Sequence, residues 1–258
     1  MLFSDIIFGP LHSRRLGVSL GVNLLPMYGK WCNFDCIYCE CGWNAGQRGD
    51  RQLPTREQVG EALRQTLQRL QQEAQLPDAI TFSGNGEPTL HPQFSEIIDD
   101  AIALRNAYAP QAQVCVLSNA TLIGRDAVFR TLKKVDRPIL KIDSAIEATA
   151  QLINQPQGAY TVAGVVEQMQ RFDGQFSLQT LFLRGAYRGV ALDNSTPDEV
   201  ARWLQIVVQT RPREIMLYTL DRRTPAERLQ KLSQEELLAI AAQVQAHNTW
   251  GAAVQTAG

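Results

Sequence analysis

From residue 79 onward, short apolar or β-branched runs alternate with longer stretches whose apolar residues recur at helical spacing. Such alternation implies a parallel sheet whose strands are joined by right-handed crossovers. Six strands are expected: Val18–Leu25, Ala79–Ser83, Val114–Ser118, Ile139–Asp143, Phe176–Leu183 and Ile215–Leu220. The helix starts are marked by caps. Thr55 and Gln58 stand in capping-box spacing ahead of an apolar face that includes Val59, Leu63, Leu67 and Leu70. Thr196 is followed by Pro197 and Glu199, and Ser233 by Glu236. Six units favour an α/β fold, a six-unit (β/α)6 partial barrel with parallel strands; the runner-up is a flat doubly wound sheet. In both, chemistry gathers at the C-terminal ends of the strands. The 258 residues hold no linker, low-complexity tract or strong repeat, so one domain over 1–258 is expected.

Charge narrows the partners. Lys and Arg number 25 against 26 Asp and Glu, which argues against wholesale binding to nucleic acid or to an acidic membrane. No window reaches the roughly 18 apolar residues that a membrane span needs. The N-terminal segment places its apolar residues before its basic ones, the reverse of a secretory signal, so a cytoplasmic protein with no membrane partner is expected. In a reducing compartment crowded cysteines suggest metal rather than disulfide. Four of the five cysteines, Cys32, Cys36, Cys39 and Cys41, fall within ten residues.

Cys32, Cys36 and Cys39 form a C-x3-C-x2-C spacing directly after the first expected strand. Three thiolates this close, on a loop able to wrap around an inorganic core, suit a cuboidal iron-sulfur cluster. With three protein ligands for four irons, one iron is left for an outside ligand. The rival is a zinc-binding, non-catalytic module for nucleic acid or protein. Structural zinc usually takes two C-x2-4-C pairs, and no second pair follows here. A ferredoxin would want a fourth cluster thiolate in a different spacing. Cys41 reads as a spare thiol or as a participant in substrate chemistry, and Cys115 as a small core residue inside a strand.

Further candidates lie at the strand ends. Gly84, Asn85, Gly86 and Glu87 follow the second strand; two glycines allow close backbone approach to a ligand, and Glu87 could pair with an ammonium group. Lys141 and Asp143 share a strand face, either as a buried ion pair or as ligand contacts. Ser118 and Asn119 end the third strand, where Asn119 could bond a ribose or a carboxylate. Gln179 is read as lumen-facing, a ligand contact or a satisfied core amide. The segment Arg184–Asn194 reads as a long loop touching substrate with Arg184, Tyr187, Arg188 and Asp193; Tyr218 ends the last strand, and Asp221–Arg223 is a solvated turn. Residues 42–54, with Gly46 and Gly49, form a lip loop, and Arg14, Arg15, Arg48 and Arg51 could meet phosphates. His91 is read as capping a helix that starts near Pro92, and His247 as a surface residue.

The stretch from Phe8 to Gly17, then Leu20 to Pro26, then Cys32 to Glu40 resembles radical S-adenosylmethionine enzymes, in the branch related to wyosine-tRNA synthesis. The resemblance implies that Cys32, Cys36 and Cys39 hold a [4Fe-4S] cluster whose fourth iron is chelated by the methionine end of S-adenosylmethionine. It implies reductive cleavage to a 5'-deoxyadenosyl radical that abstracts hydrogen from a substrate, with electrons from a donor of the flavodoxin or ferredoxin type. The backbone of Gly84–Glu87 would receive the cofactor's amino group and Tyr38 would contact its adenine. Asn119, Lys141, Asp143, Gln179 and Tyr218 complete the candidate cofactor-binding set. The substrate could be a tRNA base of the wyosine type, a small molecule or a peptide.

Overall fold

The structure, a computed structural model, describes residues 2–13, 15–44 and 52–257. Arg14, Arg48, Arg51, Gly46 and Gly49, singled out above, lie outside the described residues. The chain divides into two compact units, Met1–Cys32 with Asn44–Ser118 and Leu122–Pro138, and Asn33–Trp43 with Asn119–Thr121 and Ile139–Gly258.

In the first unit, β1 (Ile7–Ser13) lies antiparallel to β2 (Gly17–Val22), and β2 is followed by β3 (Ala79–Phe82) and β4 (Gln113–Ser118) in parallel register. Leu20 pairs with Ile80 and Ile80 with Val114; all three are fully buried, as parallel strands covered on both faces require. Over this sheet run α1 (Arg56–Gln72), α2 (Phe94–Tyr108) and α3 (Asp126–Leu132). The Thr55 side chain accepts from the Gln58 N–H while Gln58 returns a bond to the Thr55 N–H, the capping box read from the sequence. Val59, Leu63, Leu67 and Leu70 are the buried stripe of α1, spaced by three or four residues. α2 starts at Phe94, close to the start expected near Pro92, after a 3-10 turn at Pro88–Leu90. Gly60 sits inside α1, and a Cβ placed there meets nothing within 4 Å. Gly60→Ala is therefore expected to stabilise the protein by about 0.5–1 kcal/mol through helix propensity, read as a raised midpoint in urea or heat. A lowered midpoint would mean that this part of α1 is not helical.

The second unit holds β5 (Arg137–Lys141), β6 (Ser177–Leu181), β9 (Glu214–Tyr218) and β11 (Ala253–Ala257) in parallel register. Its helices are α4 (Glu147–Asn154), α5 (Val162–Gln170), α6 (Pro197–Thr210) and α7 (Gln234–His247). α6 and α7 begin at the caps expected, Thr196 accepting from the Glu199 N–H and Ser233 from that of Glu236. Trp203 of α6 meets the Phe182 ring edge-on at 5.4 Å and donates its indole N–H to Thr180 at 3.0 Å, so its apolar bulk is buried without orphaning its polar edge.

All six expected strands are present, each leading to a helix, which is the order of an α/β, (β/α)6 partial barrel with parallel strands. Within each unit strand order follows chain order. Two expectations need correction. The strand expected over Phe176–Leu183 breaks at Phe182, and Arg184–Asn194 is not a long loop. Instead β7 (Leu183–Tyr187) and β8 (Val190–Asp193) form an antiparallel hairpin extended by β10 (Leu229–Lys231). Tyr187 pairs with Val190 across Arg188 and Gly189, both at positive φ, which is the backbone that a two-residue hairpin turn demands. No helix among the described residues is long and apolar enough to cross a membrane.

Candidate functional site

In the first unit the glycine turn at the end of β3 is bonded to the residue preceding Cys32. The Trp31 N–H donates to the Asn85 carbonyl at 2.8 Å, and the Glu87 N–H donates to the Trp31 carbonyl at 3.1 Å. This two-way pairing makes an isolated parallel bridge between Trp31 and Gly86. The Cys32 carbonyl accepts from the Asn44 amide at 3.0 Å. Gly84 and Gly86 have φ of +121° and +144°, backbone that side-chain-bearing residues rarely adopt. A Cβ at Gly84 would lie 2.6 Å from Asn23 Oδ1, and one at Gly86 would overlap the Trp31 carbonyl oxygen. The close approach that the glycines permit is thus made by the protein's own atoms.

Asn23 was not singled out in the sequence, yet it organises this turn. Fully buried, it accepts from the Asn85 N–H at 3.0 Å and folds back on Leu25. The Asn85 side chain is spent inside the protein: it accepts from the Phe3 N–H and donates to the Phe3 and Pro26 carbonyls, each at 2.8 Å. Glu87 is buried, and its Oε1 accepts from the Thr89 N–H, the Thr89 hydroxyl at 2.6 Å and the Ser118 hydroxyl at 2.9 Å. These bonds fix the carboxylate's orientation.

His91, just beyond, is buried; its Nδ1 accepts from the Gln93 N–H at the start of α2 and its Nε2 meets the Pro54 carbonyl at 2.9 Å. The capping role is the one expected. Burial lowers its pKa below the ordinary histidine value, more than the Pro54 bond and Glu96 raise it. Below about pH 6.5 the unfolded chain then binds a proton that the folded chain resists. The stability that this neutral ring contributes is present above that pH and is lost as pH falls toward the folded-state pKa. Thermal midpoints at pH 7.5 and 5.5 are expected to fall more in the wild type than in His91→Gln; equal falls would remove His91 from the account.

In the second unit the cysteine loop is stitched to the C-terminal end of α4. The Ile37 N–H donates to the Ile153 carbonyl at 2.9 Å, that of Asp35 to the Asn154 carbonyl at 2.9 Å, and that of Gln157 to the Asn33 carbonyl at 2.8 Å. On its other side the Ile37 carbonyl accepts from the Ala226 N–H at 3.2 Å. Cys39 donates its N–H back to the Cys36 carbonyl, and Gly42 to that of Cys39, which curls the chain through two successive turns. Asn33 and the end of β4 add a closed ring: Asn119 donates to Asn33 Oδ1 at 2.7 Å, Asn33 to the Thr121 hydroxyl, and that hydroxyl to Asn119 Oδ1 at 2.7 Å. The Asn119 side chain, one of the candidate ligand contacts, thus also holds the loop.

A polar cluster lies against this loop. Lys141 directs its three ammonium protons to Cys36 Sγ at 3.1 Å, the Tyr38 hydroxyl at 2.9 Å and Asn154 Oδ1 at 2.5 Å, and lies 3.1 Å from Asp143 Oδ2. The Tyr38 hydroxyl in turn donates to Asp143 Oδ2 at 2.6 Å, and Asp143 Oδ1 accepts from the Leu181 N–H. Asp143 has no exposed side chain and Lys141 has 13%. Burial opposes the charge on Lys141, but Asp143 and then Cys36 outweigh it and raise the ammonium's pKa. Burial, reinforced by Asp143, raises the Tyr38 phenol well above its usual range, so the hydroxyl keeps its proton. The Lys141–Asp143 pair is thus the buried ion pair that was one of its two readings.

Gln179 lies on β6, every residue of which is buried, and Tyr218 packs against the apolar cluster formed by Ile37, Ile153, Leu181 and Leu183. Asn154, the hub joining Lys141 to the cysteine loop, carried no sequence signal. Arg184 is ion-paired with Glu236 at 2.5 Å, Tyr187 packs near Trp43, and Arg188 lies over the Tyr187 ring. Asp221–Arg223 is exposed, with Arg222 pairing with Glu40. Cys115 is buried in β4 as expected, and His247 is exposed.

The donor chemistry suits an iron-sulfur core. The five cysteines carry no disulfide, and Cys36 Sγ faces a cation, the surrounding that a thiolate ligand favours. Among the described residues no three His, Cys, Asp or Glu side chains are grouped as the donors of a single metal ion.

The family model described as "Radical SAM superfamily" matches residues 27–185, more than half of the chain. A protein named GTPase Obg from Brachyspira hyodysenteriae is 28% identical over 235 residues, 90% of this chain but only 32% of that protein. A UPF0026 protein of Synechocystis sp. is 31% identical over 228 residues, 86% of this chain and 78% of its own. Among solved structures, TYW1 with a lysine-pyruvate adduct bound aligns with a TM-score of 0.61 at 17% identity, over 88% of this chain and 73% of that one. A radical SAM methyltransferase from Sphaerobacter thermophilus aligns at 0.68 and 13%, over 93% of this chain and 65% of that one. At such identities these two likenesses concern the fold alone.

Proposed function

The chain belongs to the Radical SAM superfamily, and from that premise we propose that it is an enzyme, a single radical SAM domain over residues 1–258, which binds a [4Fe-4S] cluster through Cys32, Cys36 and Cys39. Bound together, the cluster and S-adenosylmethionine would supply a 5'-deoxyadenosyl radical able to take hydrogen from a substrate. The observation that carries the reading is the pairing of Trp31 with the glycine turn: main-chain bonds link the residue before Cys32 to the backbone proposed to receive the cofactor's amino group.

The protein's own residues divide the work. Gly84–Glu87 present backbone at the end of β3, with the Glu87 carboxylate oriented by Thr89 and Ser118. Lys141, Asn154 and the Asn33–Asn119–Thr121 ring hold the cysteine loop. Tyr38 keeps its hydroxyl on Asp143, leaving its ring as the surface for an adenine. Gln179 and Tyr218 are further proposed contacts, and Cys41 is placed outside the three cluster ligands, as a spare thiol or a participant in substrate chemistry. A flavodoxin- or ferredoxin-type donor would supply electrons, in the cytoplasm.

Protein purified without oxygen is expected to be brown, to contain iron and sulfide, and to release 5'-deoxyadenosine when reduced with S-adenosylmethionine. A colourless protein with stoichiometric zinc would overturn this reading. For the substrate, the proposal takes a tRNA base of the wyosine type first, following the branch that the N-terminal motifs resemble. Binding of tRNA that weakens steeply with added salt supports it, and binding indifferent to salt moves the substrate to a small molecule or peptide.

A further inference from the structure

Lys141 is heavily engaged beside the cysteine loop. All three of its N–H groups are assigned, and one of them points at Cys36 Sγ from 3.1 Å. Its charge is balanced by Asp143, whose two oxygens are occupied by the Tyr38 hydroxyl and the Leu181 N–H, so the pair stands on β5 and its exit as a fixed dipole. The lysine end of that dipole faces the sulfur. The rings of Phe34 and Tyr38 lie 4.9 and 5.2 Å from the ammonium, and with 13% of the lysine side chain exposed its charge is only weakly screened. Hydrogen bonds and positive charge at a ligating sulfur stabilise the reduced, more negative form of an iron-sulfur centre and raise its reduction potential.

We propose that Lys141 is a positioning residue that fixes Cys36 as a ligand and raises the potential of the centre, with Asp143 as the opposing charge that limits the rise. The inference rests on the proposed cluster. It concerns a bond of this chain's own residues, not the cofactor's chemistry.

The test is a redox titration followed by electron paramagnetic resonance on the reconstituted full-length protein, its Lys141→Met variant and its Asp143→Asn variant. At the potential where half of the wild-type clusters are reduced, Lys141→Met is expected to show a reduced-to-oxidised ratio about tenfold lower, a shift of about 59 mV for one electron. Asp143→Asn is expected to shift the opposite way, a sign reversal that a merely structural role for the pair would not produce. An unshifted Lys141→Met, or shifts of the same sign in both variants, overturns the inference. If Lys141→Met takes up no cluster, Asp143→Asn decides alone: a more positive potential supports the inference, and an equal or more negative one overturns it. A wild-type protein that takes up no iron and sulfide overturns the cluster reading itself, a result distinguishable from normal loading with unshifted variants.

Discussion

Replacing Cys32, Cys36 or Cys39 singly with alanine is expected to remove most of the bound iron and sulfide and to lower 5'-deoxyadenosine release about 100-fold or more, some 2.7 kcal/mol at the barrier. The effect is large because in the proposed cluster each thiolate would hold its own iron. Cys41→Ala and Cys115→Ala serve as controls. The first removes a thiol outside the three-cysteine spacing, and the second shortens a side chain buried within β4, so both are expected to keep cofactor cleavage. Iron and sulfide analysis beside product release checks the set. Full cleavage by any one of the three loop variants would sink the assignment of that cysteine, and loss in Cys41→Ala would make it a fourth participant.

Gly86→Ala carries the largest expected cost to stability. The new Cβ would overlap the Trp31 carbonyl oxygen, a backbone atom that cannot swing away, at a φ of +144°. Backbone strain of about 1–3 kcal/mol and overpacking of similar size add to about 2–6 kcal/mol, or a midpoint lower by about 4–24 °C. Gly189→Ala separates the two causes, because Gly189 also has positive φ yet a Cβ there meets nothing within 4 Å. It is expected to cost only about 1–2 kcal/mol. Thermal unfolding of both variants is the measurement, and equal losses would mean that the Trp31 overlap contributes nothing.

Where local chemistry decides structure, the sequence was readable. The caps at Thr55, Thr196 and Ser233 are written in side chains that bond within four residues, and the six strands in apolar runs that any covered parallel sheet requires. β1 escaped notice because Gly9 and Pro10 interrupt its pattern; the register with β2 shifts there, between Phe8 and Leu11. The β7–β8 hairpin escaped because its turn is Arg188-Gly189, a weak signal where Asn-Gly would be a strong one. Lys141 and Asp143 were legible as residues two apart on a strand, but the choice between ion pair and ligand contact was not. That choice turns on Asn154 and Tyr38, which reach them from over ten residues away in sequence. Along β6 both faces are buried, so alternation carried no information about where Gln179 points.

The link between Trp31 and the glycine turn is built from amide and carbonyl groups alone, which every residue but proline possesses. In a saturation library scored for folded protein, position 31 should accept many substitutions while positions 84 and 86 accept almost none. Tolerance maps would then point to the smallest residues as the ones holding the assembly together, and the bulky indole beside them would look dispensable.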